Sequence, residues 1–371
     1  MNVERLHLIA LELHEDIART TLVQQLNGLA EALANLANQP GEASYQQAVA
    51  TAREAMRTAV ADSDVDEWPA AWRATLDELD IDDILGSNLA QRVEDAIVSN
   101  EITPSTASTT IKELAQDLSS VDTSLTEMLA VFDRFSIATE TLEAGEAEVA
   151  VTIPRGEVGE RLVDLGREFA ELNKILGVFV EIETGSREPM RVRTIASSDY
   201  GVYLETAVHV GAFIAVSIER LLAAYKTILE IRTLRQGLAD QGLEDQLAAV
   251  DERVNSLMDE KIREYLDEVI AERYPERSER SRELEIELLN SLRMMANRID
   301  HGFNFDVRAP EPEQSSEDEA EAADADIAEA TARIVSASPN LKYINRTGQA
   351  ILSLPEGPSA AASGSSSGED T

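Results

Sequence analysis

Ser197, Ser198 and Asp199 follow a stretch that carries Arg191 and Arg193 on either side of Val192. Two hydroxyls beside two guanidiniums suit one kind of chemistry, the holding of a small anion. A guanidinium donates in a fork that matches phosphate or carboxylate, and serine hydroxyls add further donors. Arg191, Arg193, Ser197 and Ser198 are therefore the candidate anion-binding residues. A structural reading competes with this one. Ser and Asp also build turns, and the two arginines would pair across strands with Glu181 and Glu183.

The four histidines make a weaker case. His7 and His14 are seven apart on a helical pattern, so they share a face, with Glu15 beside the second. A metal site takes three or four ligands, and two imidazoles fall short. His209 lies in an apolar helical run, where hydrogen bonding to core groups suffices. His301 precedes Gly302 near a helix end, where capping suffices.

Residues 62–69, Asp-Ser-Asp-Val-Asp-Glu-Trp-Pro, resemble the start of a calcium loop. The sixth position is Glu67 where that loop needs Gly, and the twelfth is Arg73 where it needs a bidentate Glu. The stretch reads instead as an acidic loop at a helix N-terminus, where negative charge favours the dipole. Trp68 and Trp72, four apart, read as packing anchors. The phosphate loop, the dinucleotide fingerprint, the nucleophile elbow and the zinc-protease helix are all missing. Cysteine is absent, which removes disulfides, thiolate catalysis and cysteine-ligated zinc. No catalytic residue, cofactor or metal is assigned.

Charge narrows the partners. The formal net charge is −38, and only five of the 32 basic residues are lysine. Binding phosphate backbones or anionic lipid surfaces needs clustered cations, so neither a nucleic-acid nor a membrane partner is expected. The acids are spread over helices and tail, which argues against a DNA-mimicking face. High net charge of this kind keeps chains soluble in a salty cytoplasm and serves equally in an ordinary one. The first residues lack the pattern of a secretory leader, so the cytoplasm is the expected location.

The elements that would position these residues are mostly helical. A length of 371 residues and 43% apolar content suit two or three domains, and 4% aromatics favour Leu- and Ala-rich helix packing. Residues 1–142 read as an N-terminal antiparallel helical bundle with coiled-coil-like helices. Leu22, Leu26, Leu29, Leu33 and Leu36 form one four-three seam. Ile111, Leu114, Leu118, Val121, Leu125, Met128, Phe132 and Phe135 form a longer one.

Residues 148–236 read as a small central α+β layer of order β-α-β-β-α. Alternation predicts strands at 149–153, 178–182 and 190–194, with a short fourth at 202–204. A helix is predicted over 157–174 with Gly177 as its cap. The twelve-residue apolar run 207–218 is shorter than a membrane span and reads as a buried helix.

Residues 237–309 read as a long helical hairpin with an added strand at 303–307. Nine acids and no base over 310–329 predict a disordered linker, taken as 310–339. Residues 340–354 regain pattern as a docking hairpin, and 355–371 form a disordered Gly/Ser/Ala tail. The expected fold class is thus predominantly α with a small α+β layer.

These readings point to a non-enzymatic interaction or scaffold protein. It would associate with itself or a protein partner through its seams and its tethered C-terminal segment. The alternative is a sensor or enzyme for a small anion, using the central layer.

Overall fold

The computed structural model describes residues 2–159, 161–196, 200–240, 244–310, 322–341 and 350–355. The chain divides into two compact units, Met1–Thr141 and Leu142–Thr371. Among the described residues it is predominantly helical, with one small antiparallel four-stranded sheet.

The first unit holds α1 (Val3–Thr20), α2 (Leu22–Asn38), α3 (Ala43–Ala61), α4 (Ala70–Glu78), α5 (Gly86–Ser99) and α6 (Pro104–Arg134). Leu22, Leu26, Leu29 and Leu33 of α2 are buried together with Ile111, Leu114, Leu118 and Leu125 of α6. These parts of both seams are therefore spent inside the unit, while Phe135 at the end of the longer one is exposed. The pattern over 3–36 reads as one helix, but the chain breaks at Thr21, whose φ is 53°. Just before it, the Thr20 hydroxyl donates back to the Asp16 carbonyl, a habit that bends helices.

The acidic loop before α4 serves α5. Asp66 accepts from the Ser87 backbone N–H at 2.8 Å and from Arg73 at 3.1 Å. A carboxylate there satisfies a first-turn donor and complements the helix dipole. Trp68 and Trp72 meet edge to face at 5.3 Å and pack on the core.

The second unit runs β1 (Glu146–Ile153), α7 (Arg155–Val158), α8 (Leu162–Thr184), β2 (Arg191–Ile195), β3 (Tyr200–Ala207), α9 (Val208–Asp240), α10 (Glu244–Arg273), α11 (Glu279–Asp300), β4 (Asn304–Arg308) and α12 (Ala322–Ala337). The strand order is β2-β3-β1-β4. Val149, Val151 and Ile153 of β1 share one core with α8, α9, α10, α11 and α12, and with Ile351, Leu352 and Leu354. The described residues of the stretches read from sequence as separate segments at 148–236, 237–309 and 340–354 thus share one core, and 342–349 of the expected docking hairpin lie outside the described residues.

Three expectations need correction. The strand expected at 178–182 is the second half of α8. Residues Ile175–Ile182 of that helix are all buried, so no polar face reveals its period, and the β-branched run imitates alternation. Its cap is Gly185 at φ 75°, not Gly177. The acidic stretch 310–339 is not structureless throughout, because α12 occupies part of it and buries Ala330, Ile334 and Ala337. Tertiary burial outweighs the local acid content there. The apolar run 207–218 does lie in a buried helix that continues beyond it, α9. Val208–Leu229 is long and apolar enough to cross a membrane, yet 67% of its most apolar window is buried in the unit.

Arginine joins the helices of this unit. Arg298 reaches Glu168 at 2.5 Å, Arg293 reaches Asp259 at 2.7 Å, and Arg273 reaches Glu183 at 2.7 Å. These contacts tie α11 to α8, α11 to α10, and α10 to α8. A planar guanidinium holds a carboxylate with fixed geometry, which suits Arg for this task over Lys.

Gly211 lets α9 lie close on the sheet. A Cβ there would come within 2.5 Å of the Ala147 Cβ on β1. Gly211→Ala is expected to lower stability by about 1–3 kcal/mol through overpacking, read as a drop in urea midpoint. Adding Ala147→Gly to that variant should recover most of the loss.

Candidate functional site

The last residue of α11 is a fully buried aspartate, Asp300. A carboxylate taken out of water must be given hydrogen bonds, or its burial costs several kcal/mol. Asp300 Oδ1 accepts from the Tyr225 hydroxyl of α9 at 2.7 Å. Its Oδ2 accepts from two successive main-chain N–H groups, Ile351 at 2.5 Å and Leu352 at 2.7 Å. Tyr225 is itself buried in the core and so fixes which way the carboxylate faces.

Asn297 lies three residues earlier on α11, which puts it on the same helix face. Its amide closes a two-way pair with one residue. Leu354 N–H donates to Asn297 Oδ1 at 3.0 Å, and Asn297 Nδ2 donates to the Leu354 carbonyl at 3.0 Å. Asn255 on α10 does similar work from the other side. Ser353 N–H donates to Asn255 Oδ1 at 2.7 Å, and Asn255 Nδ2 donates to the Ile351 carbonyl at 3.2 Å.

Three side chains thus make six hydrogen bonds to four consecutive main-chain residues. No strand ladder is involved, since residues Ile351–Pro355 carry neither helix nor strand. Ile351, Leu352 and Leu354 are buried, while Ser353 is exposed. Apolar side chains supply the burial, and the clamp satisfies the backbone that burial takes from water. Pro355 follows and biases Leu354 away from helical backbone.

A cavity of 590 Å³ lies alongside this segment. Ser353 lines it, with Glu168, Glu171, Arg298, His301 and Phe303 among its other walls. A second cavity of 430 Å³ lies between α9, α10 and α12 and is lined by His209, Tyr265 and Arg273 among others. Its cations are held by carboxylates: Arg273 by Glu183 and Arg333 by Glu329. Tyr265 shares a hydrogen bond with Ser217 at 2.8 Å. Burial pushes its hydroxyl up to about 12, so it stays protonated at neutral pH and is no base there.

The sequence candidates fall elsewhere. Arg191 reaches Glu205 on the adjacent β3 at 2.7 Å. The cross-strand partner is thus Glu205, not the expected Glu181 or Glu183. Glu181 instead binds Arg187 at 2.9 Å and also meets Arg280. Arg193 shares β2 with Arg191, and Ser197 and Ser198 lie outside the described residues. His7 and His14 take separate partners, Ile137 O and Asp122, each at 2.8 Å. His301 meets Glu157 at 2.7 Å.

Asn255, Asn297 and Asp300 escape a motif search because they are not an ionisable constellation. The available signal is polar residues inside apolar helix faces, such as Asn297 and Asp300 beside Met295 and Ile299. No family model, curated protein or solved structure matches the chain.

Asn297→Ala leaves both polar groups of buried Leu354 without this partner. It should cost about 1–3 kcal/mol in urea unfolding. Asn297→Asp keeps the acceptor alone and should recover part of that loss. A separate expectation concerns pH. The Tyr265 value is about 12 folded against 10.0 unfolded, so its stabilising effect is complete below pH 10. It is lost as pH rises through 12, by up to roughly 2–3 kcal/mol. Urea midpoints at pH 8 and pH 11.5 should therefore differ less in Tyr265→Phe than in the parent.

Proposed function

We propose that this chain is a non-enzymatic interaction protein whose second unit binds a short apolar peptide segment. The observation that carries the reading is the set of six hydrogen bonds from Asn255, Asn297 and Asp300 to residues 351–354. Side-chain amides and carboxylates that read main-chain groups are a means of holding a polypeptide without a sheet edge. The chain's own C-terminal segment is the occupant seen.

The reading keeps the first unit as an antiparallel helical bundle, supported by the shared burial of the α2 and α6 seams. Since most of those seams face inward, association is assigned to the peptide seat rather than to exposed ridges. A protein partner fits the charge of −38, which disfavours nucleic acid and anionic membranes. The cytoplasm remains the expected location. The small-anion alternative loses support, because Arg191 is engaged by Glu205.

The test is a peptide of residues 349–356 with a fluorescent label. The receptor is the full chain carrying Ile351→Asp and Leu354→Asp, which removes its own segment from the seat. A second receptor, the full chain with Ser353→Pro, does so without burying charge. Saturable binding in the micromolar to low-millimolar range is expected, and Asn297→Ala added to either receptor should weaken it at least about tenfold, a loss of ~1.4 kcal/mol. Absence of saturable binding to both folded receptors would refute the reading.

A further inference from the structure

The clamp treats its occupant unevenly along the chain. Four successive N–H groups, from Ile351 to Leu354, are all used. Three of the four side chains are buried, and the third, Ser353, is exposed. Every polar contact described comes from a seat residue to the main chain, and none to an occupant side chain. Recognition is therefore by backbone and by apolar shape, with the third position unread.

That third position borders the 590 Å³ cavity. Serine has too short a side chain to use such a space. The cavity combines the Phe303 ring with the long stems and charged heads of Glu168, Glu171 and Arg298. A longer side chain in the third place would gain contact there and disturb none of the six clamp bonds.

We infer that the physiological occupant is a segment of a different protein with the pattern apolar-apolar-long-apolar, free of proline in those four places. The cis segment is a weak stand-in that such a partner displaces. This rests on the peptide-binding reading above and specifies its partner. A second copy of the chain is disfavoured by the same geometry. Its segment is identical, so an exchange would gain no new contact and would still bear the cost of association. The tether adds to this. Nine residues lie between the buried Leu341 and Ile351, and a covalent link of that length gives the cis segment an effective concentration on the order of millimolar. A partner must exceed that through contacts the cis segment lacks, and the cavity beside Ser353 supplies them.

The test uses peptides of residues 349–356 against the two full-length receptors with the seat vacated. The parent peptide is the control for the underlying reading. If it fails to bind, that reading falls and the inference with it. If it binds, the inference stands on three further results. Peptides with Ser353→Arg or Ser353→Met should include at least one that binds about fivefold tighter than the parent. N-methylation at Leu352, Ser353 or Leu354 should weaken binding at least about tenfold, because each removes a used donor. The wild-type chain should bind the tighter peptide at least about tenfold more weakly than the vacated receptors do. Parent binding with both long side chains weaker than serine would overturn the partner pattern. Tolerance of N-methylation would overturn the backbone readout. A concentration-dependent dimer of the wild-type chain in light scattering, abolished by Ser353→Pro, would overturn the choice of a foreign partner in favour of a second copy.

Discussion

A main-chain N–H that leaves water must find an acceptor, and in the second unit that demand falls on Asp300. Burying Ile351, Leu352 and Leu354 gains apolar contact but also withdraws their amides. Helix interiors use their own carbonyls, and at the end of α11 the Asn297, Arg298 and Ile299 carbonyls accept from His301, Phe303 and Gly302. Only side chains remain. Asp300 supplies one oxygen to two amides, and Asn255 and Asn297 supply the rest. The arrangement works only while α9, α10 and α11 keep their spacing, since Tyr225, Asn255 and Asp300 come from one each.

That spacing is set by two unlike contacts. Close apolar packing places α9 on the sheet, with Gly211 against Ala147. Arginine–carboxylate pairs then hold α8, α10 and α11 to one another at their partly exposed flanks. In a chain of net charge −38, these pairs also relieve repulsion among acids on adjacent helices. The arginine-rich basic content thus has a structural use, and it draws cations away from any anion site. Arg191, the first candidate for such a site, follows the same rule by pairing with Glu205.

The helical period was legible wherever one face stayed wet. The α2 and α6 seams appear in the sequence at their true spacing, and the strand at 303–307 is where β4 lies. Period failed where burial was complete, as over Val178–Ile182, because a helix covered on all sides has no polar face. Composition failed over α12, where Ile334 and Ala337 find a core that the acids around them do not advertise. The seat was the least legible feature. Its apolar segment was visible as recovered pattern at 340–354, but its receptor was not. Asn255, Asn297 and Asp300 are ordinary helix residues until the fold brings them to one strip of backbone. Their role is fixed by tertiary placement, which no local spacing encodes.

These three side chains, and not solvent, satisfy the backbone of residues 351–354. Amide hydrogen exchange followed residue by residue in the intact wild-type chain tests it most directly. Slowed exchange is expected at all four N–H groups from Ile351 to Leu354, with that protection lost at Ile351 and Leu352 in Asp300→Ala while α9 stays protected. Exchange of those four amides at the rate of an unstructured peptide in the wild-type chain would contradict it.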